Sequence, residues 1–260
     1  MKINFDIKTI INKHCDVPAY VISHGPSSKE GLIHMENGKP GIKIFCNNWY
    51  DFFPNHEPDY WVLANNVLSL KFLKEKINSN TKTKIIYSDS ADTTDHAWIE
   101  ENIKTEVIAY ESRHFHGVKC KFRPNRHSLH NWIKKIRGGR SCCDNIKKGR
   151  STIQEILMKH SGSNKHYSTA STVALHQCAV AVLMGCNPIY ISGVDLDYRS
   201  PYPDGKMPTK NDYFDVDLRG ILDDYKVIYF SALNLGINIY KIGCHNSIDL
   251  PRFQGGRYEL

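Results

Sequence analysis

Small polar residues follow several apolar runs of this sequence, and their types suit a nucleotide. Gly25-Pro26-Ser27-Ser28 comes directly after the run 19–24, so backbone amides and serine hydroxyls of this turn could approach a phosphate. Asn47-Asn48 and Asn65-Asn66 follow two further runs, and an amide side chain offers the donor and the acceptor that ribose hydroxyls and base edges need. All three segments are also good turn formers, which is the alternative interpretation.

A second polar cluster brackets the most regular part of the sequence. Ser171-Thr172 opens the helix-forming run 172–184, and Gly193-Val194-Asp195 ends the apolar run 188–193. Asp195-Leu196-Asp197 matches the D-x-D pattern of a metal-binding motif. A divalent metal there is the alternative to the metal-free site that we expect.

The elements that must position these residues alternate along the chain. The predicted strands are the segments 19–24, 41–46, 58–64, 84–88, 105–110, 188–193 and 238–242. The predicted helices are the segments 68–77, 95–102, 172–184 and 218–235. This alternation predicts a Rossmann-like α/β fold, with a mainly parallel sheet and helices on both faces. Ligands of such sheets bind beyond the carboxyl ends of the strands, where the polar clusters stand.

Three parts are expected within one α/β domain: a nucleotide-binding half (1–112), a basic insertion (113–168) and a second half (169–260) with a lid at 197–217.

Residues 113–150 hold twelve Lys and Arg and one Asp, a net charge of +11, so the rest of the chain carries −4. With interleaved aromatic residues, this composition suits contact with a phosphate backbone, so DNA is a predicted partner. The candidate acceptor-binding residues are Arg123, Arg126, Lys134, Lys135, Arg137 and Arg140. A solvated loop or an anionic membrane surface are the alternatives.

Composition excludes several classes of protein. Hydrophobic residues make up 41% and charged residues 23%, which excludes a disordered or collagen-like chain. We expect no transmembrane segment, because no apolar stretch approaches about 20 residues, and no signal peptide, because the first residues contain neither an apolar run nor a small-residue cleavage site. Eight cysteines without a C-x-x-C pair favour a reducing cytoplasm. The group His114, His116, Cys120, His127 and His130 has no known zinc spacing, so no structural metal is expected.

The block from Cys178 to Asp195 resembles the central helix and strand of the family 42 sialyltransferases, bacterial enzymes that use CMP-sialic acid. The resemblance rests on Cys178-Ala-Val-Ala-Val, on Gly185 and on Ile189-Tyr-Ile-Ser-Gly-Val-Asp195. Gly25-Pro26-Ser27, the segment 46–50 and the segment 238–247 are similar to that family's nucleotide loop, asparagine motif and closing strand. Archaeal MptE-like pterin pyrophosphokinases share this outline, so the fold transfers more safely than the substrate.

The resemblance implies a nucleotide-sugar cosubstrate, with no other cofactor. The expected nucleotide-binding and donor-binding residues are Gly25, Pro26, Ser27, Asn47, Asn65, Asn66, Ser171, Thr172, Gly193 and Asp195. Tyr198 and Tyr202 would donate hydrogen bonds to the leaving phosphate, which needs no metal.

The family pattern has a histidine general base just before the late helix, near 215–219, and this chain has none there. Asp215 or Asp217 is therefore our candidate base, the alternative being a solvated acidic loop at a helix N-terminus. The predicted activity is inverting, metal-independent transfer of a sugar to an acceptor hydroxyl, with a hydroxymethylated DNA base as the expected acceptor. The alternatives are a sialyltransferase-like enzyme acting on a surface glycan, a non-catalytic nucleotide-binding module and an MptE-like pyrophosphokinase.

Overall fold

Eight parallel strands form one sheet with helices on both faces. The computed structural model describes residues 2–63, 69–77, 82–88, 93–114, 166–169, 172–196, 201–206, 222, 225–226, 228–244 and 248–253. The strands are β1 (Ala19–Ile22), β2 (Ile42–Cys46), β3 (Tyr60–Leu63), β4 (Lys84–Ser88), β5 (Val107–His114), β6 (His166–Thr169), β7 (Ile189–Ser192) and β8 (Ile239–Lys241). The helices are α1 (Ser28–Asn37), α2 (Trp49–Phe52), α3 (Ser69–Lys76), α4 (Thr93–Asn102) and α5 (Val173–Leu183), with a 3-10 helix at Ile7–Ile10. Residues 228–234 are also helical. The predicted fold class is confirmed.

The order of the strands reverses at β1. The sheet runs β6-β5-β4-β3-β2-β1-β7-β8, and each neighbouring pair is parallel. β1 therefore pairs with β2 on one side and with β7 on the other, although about 140 residues separate these two strands along the chain. Helices that leave β1 and enter β7 diverge at this point, which opens a crevice at the carboxyl edge of the sheet.

The strands alternate between two apolar cores, one on each face of the sheet. Ala19 and Val21 pack into the core built around α5, whereas Tyr20 and Ile22 pack into the core that includes residues of α2, α3 and α4. A strand buried on both faces has no polar alternation, and this explains the continuous apolar runs by which the strands were predicted.

Helix α1 was not among the predicted elements. It begins at Ser28, inside the segment predicted as a turn, and its buried residues are Ser28 and Gly31. A methyl group at Gly31 would overlap the Ser192 hydroxyl, so the glycine allows α1 to lie directly on β7. A helix that approaches a sheet through small residues carries little apolar periodicity, and this is why the sequence did not reveal it.

A buried glutamine ties the central strands together beneath the carboxyl edge. Gln177 of α5 is fully buried, and its Nε2 donates to the carbonyl oxygens of Ile22 at 3.1 Å and Ile44 at 2.8 Å. Its Oε1 accepts from the Ser23 hydroxyl at 2.7 Å. This side chain fixes the end of β1 and the middle of β2 against α5.

Five described cysteines are free, and four of them are buried, where a free cysteine packs as a small apolar side chain. Within the described ranges, no helix has both the length and the apolar character that a membrane span requires. The expected cytoplasmic location and the division into three parts stay predictions.

Replacing Gln177 by Leu should lower the free energy of unfolding by about 2 to 4 kcal/mol, because three buried hydrogen bonds are lost at similar volume. Urea unfolding measures this difference. Ser23→Ala removes only one of the three bonds and should cost about 1 kcal/mol. Equal losses in the two variants would contradict the bridging role of Gln177.

Candidate functional site

A cavity of about 190 Å³ opens at the carboxyl edge of the sheet, where the strand order reverses. Its walls are residues 23–26 after β1, Cys46 at the end of β2, residues 172–174 at the start of α5, residues 193–196 after β7, and Tyr202. We refer to it as the edge cavity. Its position is the one at which open parallel sheets bind their ligands.

Hydrogen bonds join the loops that follow β1 and β7. The Oδ2 atom of Asp195 accepts from the backbone N–H of Ser27 at 3.0 Å and from the Ser27 hydroxyl at 3.1 Å. The same hydroxyl accepts from the Gly193 N–H at 2.9 Å, and the Gly25 N–H donates to the Gly193 carbonyl at 2.9 Å. A side chain at Gly25 would overlap the Asp195 carboxylate. The two loops therefore form one unit, which we call the loop tie.

The hydrogen bonds of the loop tie already use the backbone N–H groups that we expected, from the sequence, to bind a phosphate. The N–H groups of Gly25 and Ser27 bond to Gly193 and Asp195, and that of Ser28 donates to the Gly25 carbonyl at 2.9 Å. Pro26 has no N–H to offer. In this conformation the segment shapes the wall of the cavity, and anion-binding donors must come from another element.

The start of α5 supplies such donors. Thr172 is the N-cap residue, yet its side chain makes no capping hydrogen bond, and its buried Oγ1 has no partner. Its carbonyl accepts from the amides of Leu175 at 3.1 Å and His176 at 3.4 Å. The amides of Val173 and Ala174, in the first turn, have no carbonyl within the helix to bond. Because Thr172, Val173 and Ala174 all line the cavity, the positive end of the helix dipole faces it.

Asn47 follows Cys46 of the cavity wall in the chain and has an unused acceptor. Its φ of 41° lies in the left-handed region, which asparagine tolerates better than most residues, and its buried Oδ1 has no hydrogen-bond partner. Its backbone is held, because its N–H donates to the Val62 carbonyl at 3.1 Å and its carbonyl accepts from the Trp61 indole at 2.6 Å. A fixed amide with a free oxygen can accept a ligand hydroxyl or amine.

His24 lines the cavity as a neutral imidazole. Its Nε2 lies 3.0 Å from the Cys46 carbonyl, so Nε2–H donates and Nδ1 is the acceptor. The ring stacks on Phe52 with centroids 4.4 Å apart, and burial lowers its pKa to about 4. His24 was not among the predicted site residues, although its place beside the glycine turn pointed to it. A neutral ring offers a phosphate no positive charge at neutral pH.

Tyr202 lines the edge cavity, and it is the one candidate catalytic residue that lies among the described residues. Its ring packs edge-to-face on Phe52 at 5.9 Å, and its backbone N–H donates to the Lys206 carbonyl at 2.8 Å. Burial, with a smaller contribution from Asp204, raises the pKa of its hydroxyl, which stays protonated and can donate.

The structure thus brings six of the predicted site residues together around the cavity, namely Gly25, Pro26, Thr172, Gly193, Asp195 and Tyr202. Ser27 lies behind them in the loop tie, and Asn47 follows Cys46. The remaining site predictions lie outside the described residues: Asn65, Asn66, Ser171, Tyr198, Asp215, Asp217, Arg123, Arg126, Lys134, Lys135, Arg137 and Arg140. Asp197 of the D-x-D spelling lies outside them too, as do the side chains of the rejected zinc group. Their roles stay predictions.

Comparisons with known proteins give similar folds but no family. No protein-family model matches this chain, and no curated protein matches it. A solved structure of the MAf glycosyltransferase from Magnetospirillum magneticum AMB-1 is 14% identical with a TM-score of 0.48, covering 95% of this chain, which spans only 38% of that protein.

Two sialyltransferases from Campylobacter jejuni are also similar. CstII, in complex with cytidine-5'-monophosphate, is 16% identical with a TM-score of 0.43, covering 92% of this chain and 85% of its own. An alpha-2,3-sialyltransferase in apo form is 11% identical with a TM-score of 0.40, covering 94% and 86%. Similarity at this level does not assign an activity to the chain, which must be argued from the cavity.

Gly193→Ala should lower the free energy of unfolding by about 3 kcal/mol or more, because the new methyl group overlaps the Ser23 carbonyl and the backbone has a φ of +71°. Gly236→Ala is the matched control, with a φ of +74° and nothing near the added carbon, and should cost about 1 kcal/mol. Urea unfolding of both variants measures the difference. Equal costs would show that the loops after β1 and β7 separate freely.

Stability should fall as the pH decreases from about 6.5 to about 4, partly because of His24. The folded pKa of His24 lies below its unfolded value of 6.5, so the unfolded chain takes up this proton first and acid favours unfolding. The contribution is at most about 3 kcal/mol. The variant His24→Gln should show a flatter pH profile of unfolding free energy. Burial also lowers the pKa values of His14 and His34, but these two residues contribute equally to the pH dependence of the wild type and of His24→Gln. Parallel profiles would contradict a neutral His24.

Proposed function

We propose that this protein is a glycosyltransferase that uses a nucleotide-activated sugar. The observation that carries the proposal is the uncapped start of α5, which faces a cavity at the point where the strand order reverses. A helix N-terminus with an unpartnered hydroxyl at Thr172 favours an anion, and the phosphate of a nucleotide sugar is such a group.

The rest of the site suits the neutral parts of the donor. Oδ1 of Asn47 and Nδ1 of His24 are acceptors for ribose or sugar hydroxyls, or for an amine of the base. The edge cavity, at about 190 Å³, is smaller than the roughly 300 Å³ at which small-molecule pockets begin. It therefore holds the phosphate and an adjoining ring, while the rest of the donor extends beyond it.

The proposed reaction is a single displacement at the anomeric carbon. The acceptor hydroxyl forms the new C–O bond as the bond to the donor phosphate breaks, and its proton passes to a carboxylate, for which Asp215 or Asp217 is the candidate. The nucleotide leaves with the bonding electrons. Tyr202, whose pKa is raised, donates a hydrogen bond to the departing phosphate, and Tyr198 is the candidate for a second. The carbon inverts, and no metal is required.

The sequence resemblance favours a CMP-sugar as the donor. The basic segment 113–150 favours an acceptor hydroxyl on DNA, and a surface glycan is the alternative. Incubation with radiolabelled CMP-sialic acid, hydroxymethylated DNA and a lactose acceptor distinguishes these acceptors, because only one class becomes labelled. Binding of CMP without transfer to any acceptor would favour a non-catalytic module or a pyrophosphokinase.

Thr172→Val should weaken nucleotide binding about tenfold and leave the stability of the free protein unchanged or higher. The substitution removes a hydroxyl that is buried and unpartnered in the free protein, so only the complex loses a hydrogen bond. Thermal unfolding with CMP, UDP and GDP measures the effect, because a ligand of the folded state raises stability. Thr9→Val, at an exposed threonine, is the control. Failure of every nucleotide to stabilise the wild type would contradict the proposal, as would equal binding by both variants.

A further inference from the structure

A second cavity, of about 300 Å³, lies on the face of the sheet that α2 and α3 cover. Its walls include the indole rings of Trp49 in α2 and Trp61 in β3, with Lys76 at the end of α3. His56 and Glu57, from the loop before β3, also line this cavity. None of these residues lines the edge cavity. We call it the tryptophan cavity.

Two of the residues that line it each carry a buried side-chain nitrogen without a hydrogen-bond partner. Trp49 is only 3% exposed, and its indole Nε1–H is buried without an acceptor. Nδ1 of His56 is also buried and unpartnered. The neighbouring indole differs, since Trp61 donates to the Asn47 carbonyl at 2.6 Å. A buried donor without an acceptor is costly, so an acceptor brought by a ligand would be favoured at Trp49.

Lys76 places a positive charge at the same wall. Its Nζ lies 5.4 Å from the centroid of the Trp49 ring and 5.8 Å from that of Tyr50. Lys76 is half-buried, and no ion pair joins it to a carboxylate of the described residues, whereas Lys71 of the same helix pairs with Glu75 at 3.6 Å. An indole N–H and an ammonium group together form a binding site for a carboxylate.

The loop before β3 offers acceptors. Nε2 of His56 lies 2.8 Å from Oε1 of Glu36 and donates its hydrogen there, and in the neutral form of the ring Nδ1 is an acceptor. The Thr83 hydroxyl donates to the Pro58 carbonyl at 2.7 Å, and Oε1 of Glu57 lies 3.2 Å from the same hydroxyl oxygen. An imidazole nitrogen and a carboxylate accept from ligand hydroxyls, and indole rings pack on the apolar face of a sugar ring.

We propose that the tryptophan cavity binds a sugar acid of monosaccharide size. Its carboxylate would bond to the Trp49 indole and the Lys76 ammonium, and its hydroxyls to His56 and Glu57. The site goes beyond the proposed transfer reaction, and it does not depend on that proposal because the two cavities share no lining residue.

Isothermal titration with D-glucuronate tests this site, with D-glucose as the uncharged comparison. We expect saturable binding of glucuronate and binding of glucose at least tenfold weaker, because glucose lacks the carboxylate. Lys76→Met should weaken glucuronate binding at least tenfold. Lys74→Met, on the same helix but exposed and over the Trp98 ring, should leave it within about twofold.

Trp49→Phe keeps an aromatic ring and removes the indole donor, so it should weaken glucuronate more than glucose. Thermal unfolding shows whether each variant is folded. If Trp49→Phe does not fold, the glucuronate affinity of Lys76→Met tests the site. No saturable binding of glucuronate would overturn the proposal, as would equal affinity for glucose or equal loss in Lys74→Met. Thr172→Val should leave glucuronate binding unchanged, which separates this result from a failure of the nucleotide proposal.

Discussion

The hydrogen bonds between Asp195 and Ser27 are the interaction on which the rest of the site depends. They join two loops that are 168 residues apart in sequence, at the strand where the order of the sheet reverses. Glycines at positions 25 and 193 permit this approach, because a side chain at either would overlap the opposite loop. Residues of the loop tie and Thr172 at the start of α5 line the same cavity.

This arrangement separates structural from ligand-binding roles among the polar residues of the edge. Ser27 and Asp195 hydrogen-bond to each other, and Gln177 donates to one backbone carbonyl of β1 and one of β2. Thr172 and Asn47 retain buried polar atoms with no partner, and native proteins keep few such atoms without a reason. The proposed ligand contacts are therefore made by the residues that remain unsatisfied.

The sequence predicted the class of fold and the edge at which the site lies. Strands buried on both faces read as apolar runs, and the polar residues at their ends were chemically distinctive. Helix α1 was not predicted, because its buried residues are the small Ser28 and Gly31, and the apolar Leu32 and Met35 are only partly buried. The role of the Gly25 and Ser27 amides could not be predicted either, since their partners lie in a distant loop. Which hydroxyl stays unpaired, as at Thr172, is decided by tertiary packing alone.

The central claim is that the start of α5 receives the phosphate while the loop tie stays intact. Amide chemical-shift mapping by ¹⁵N NMR during titration with CMP tests this most directly. We expect the largest shifts at the Val173 and Ala174 amides and small changes at Gly25 and Ser27. Large shifts at Gly25 and Ser27 with none at Val173 and Ala174 would show that the glycine loop opens to hold the phosphate, and would contradict the account.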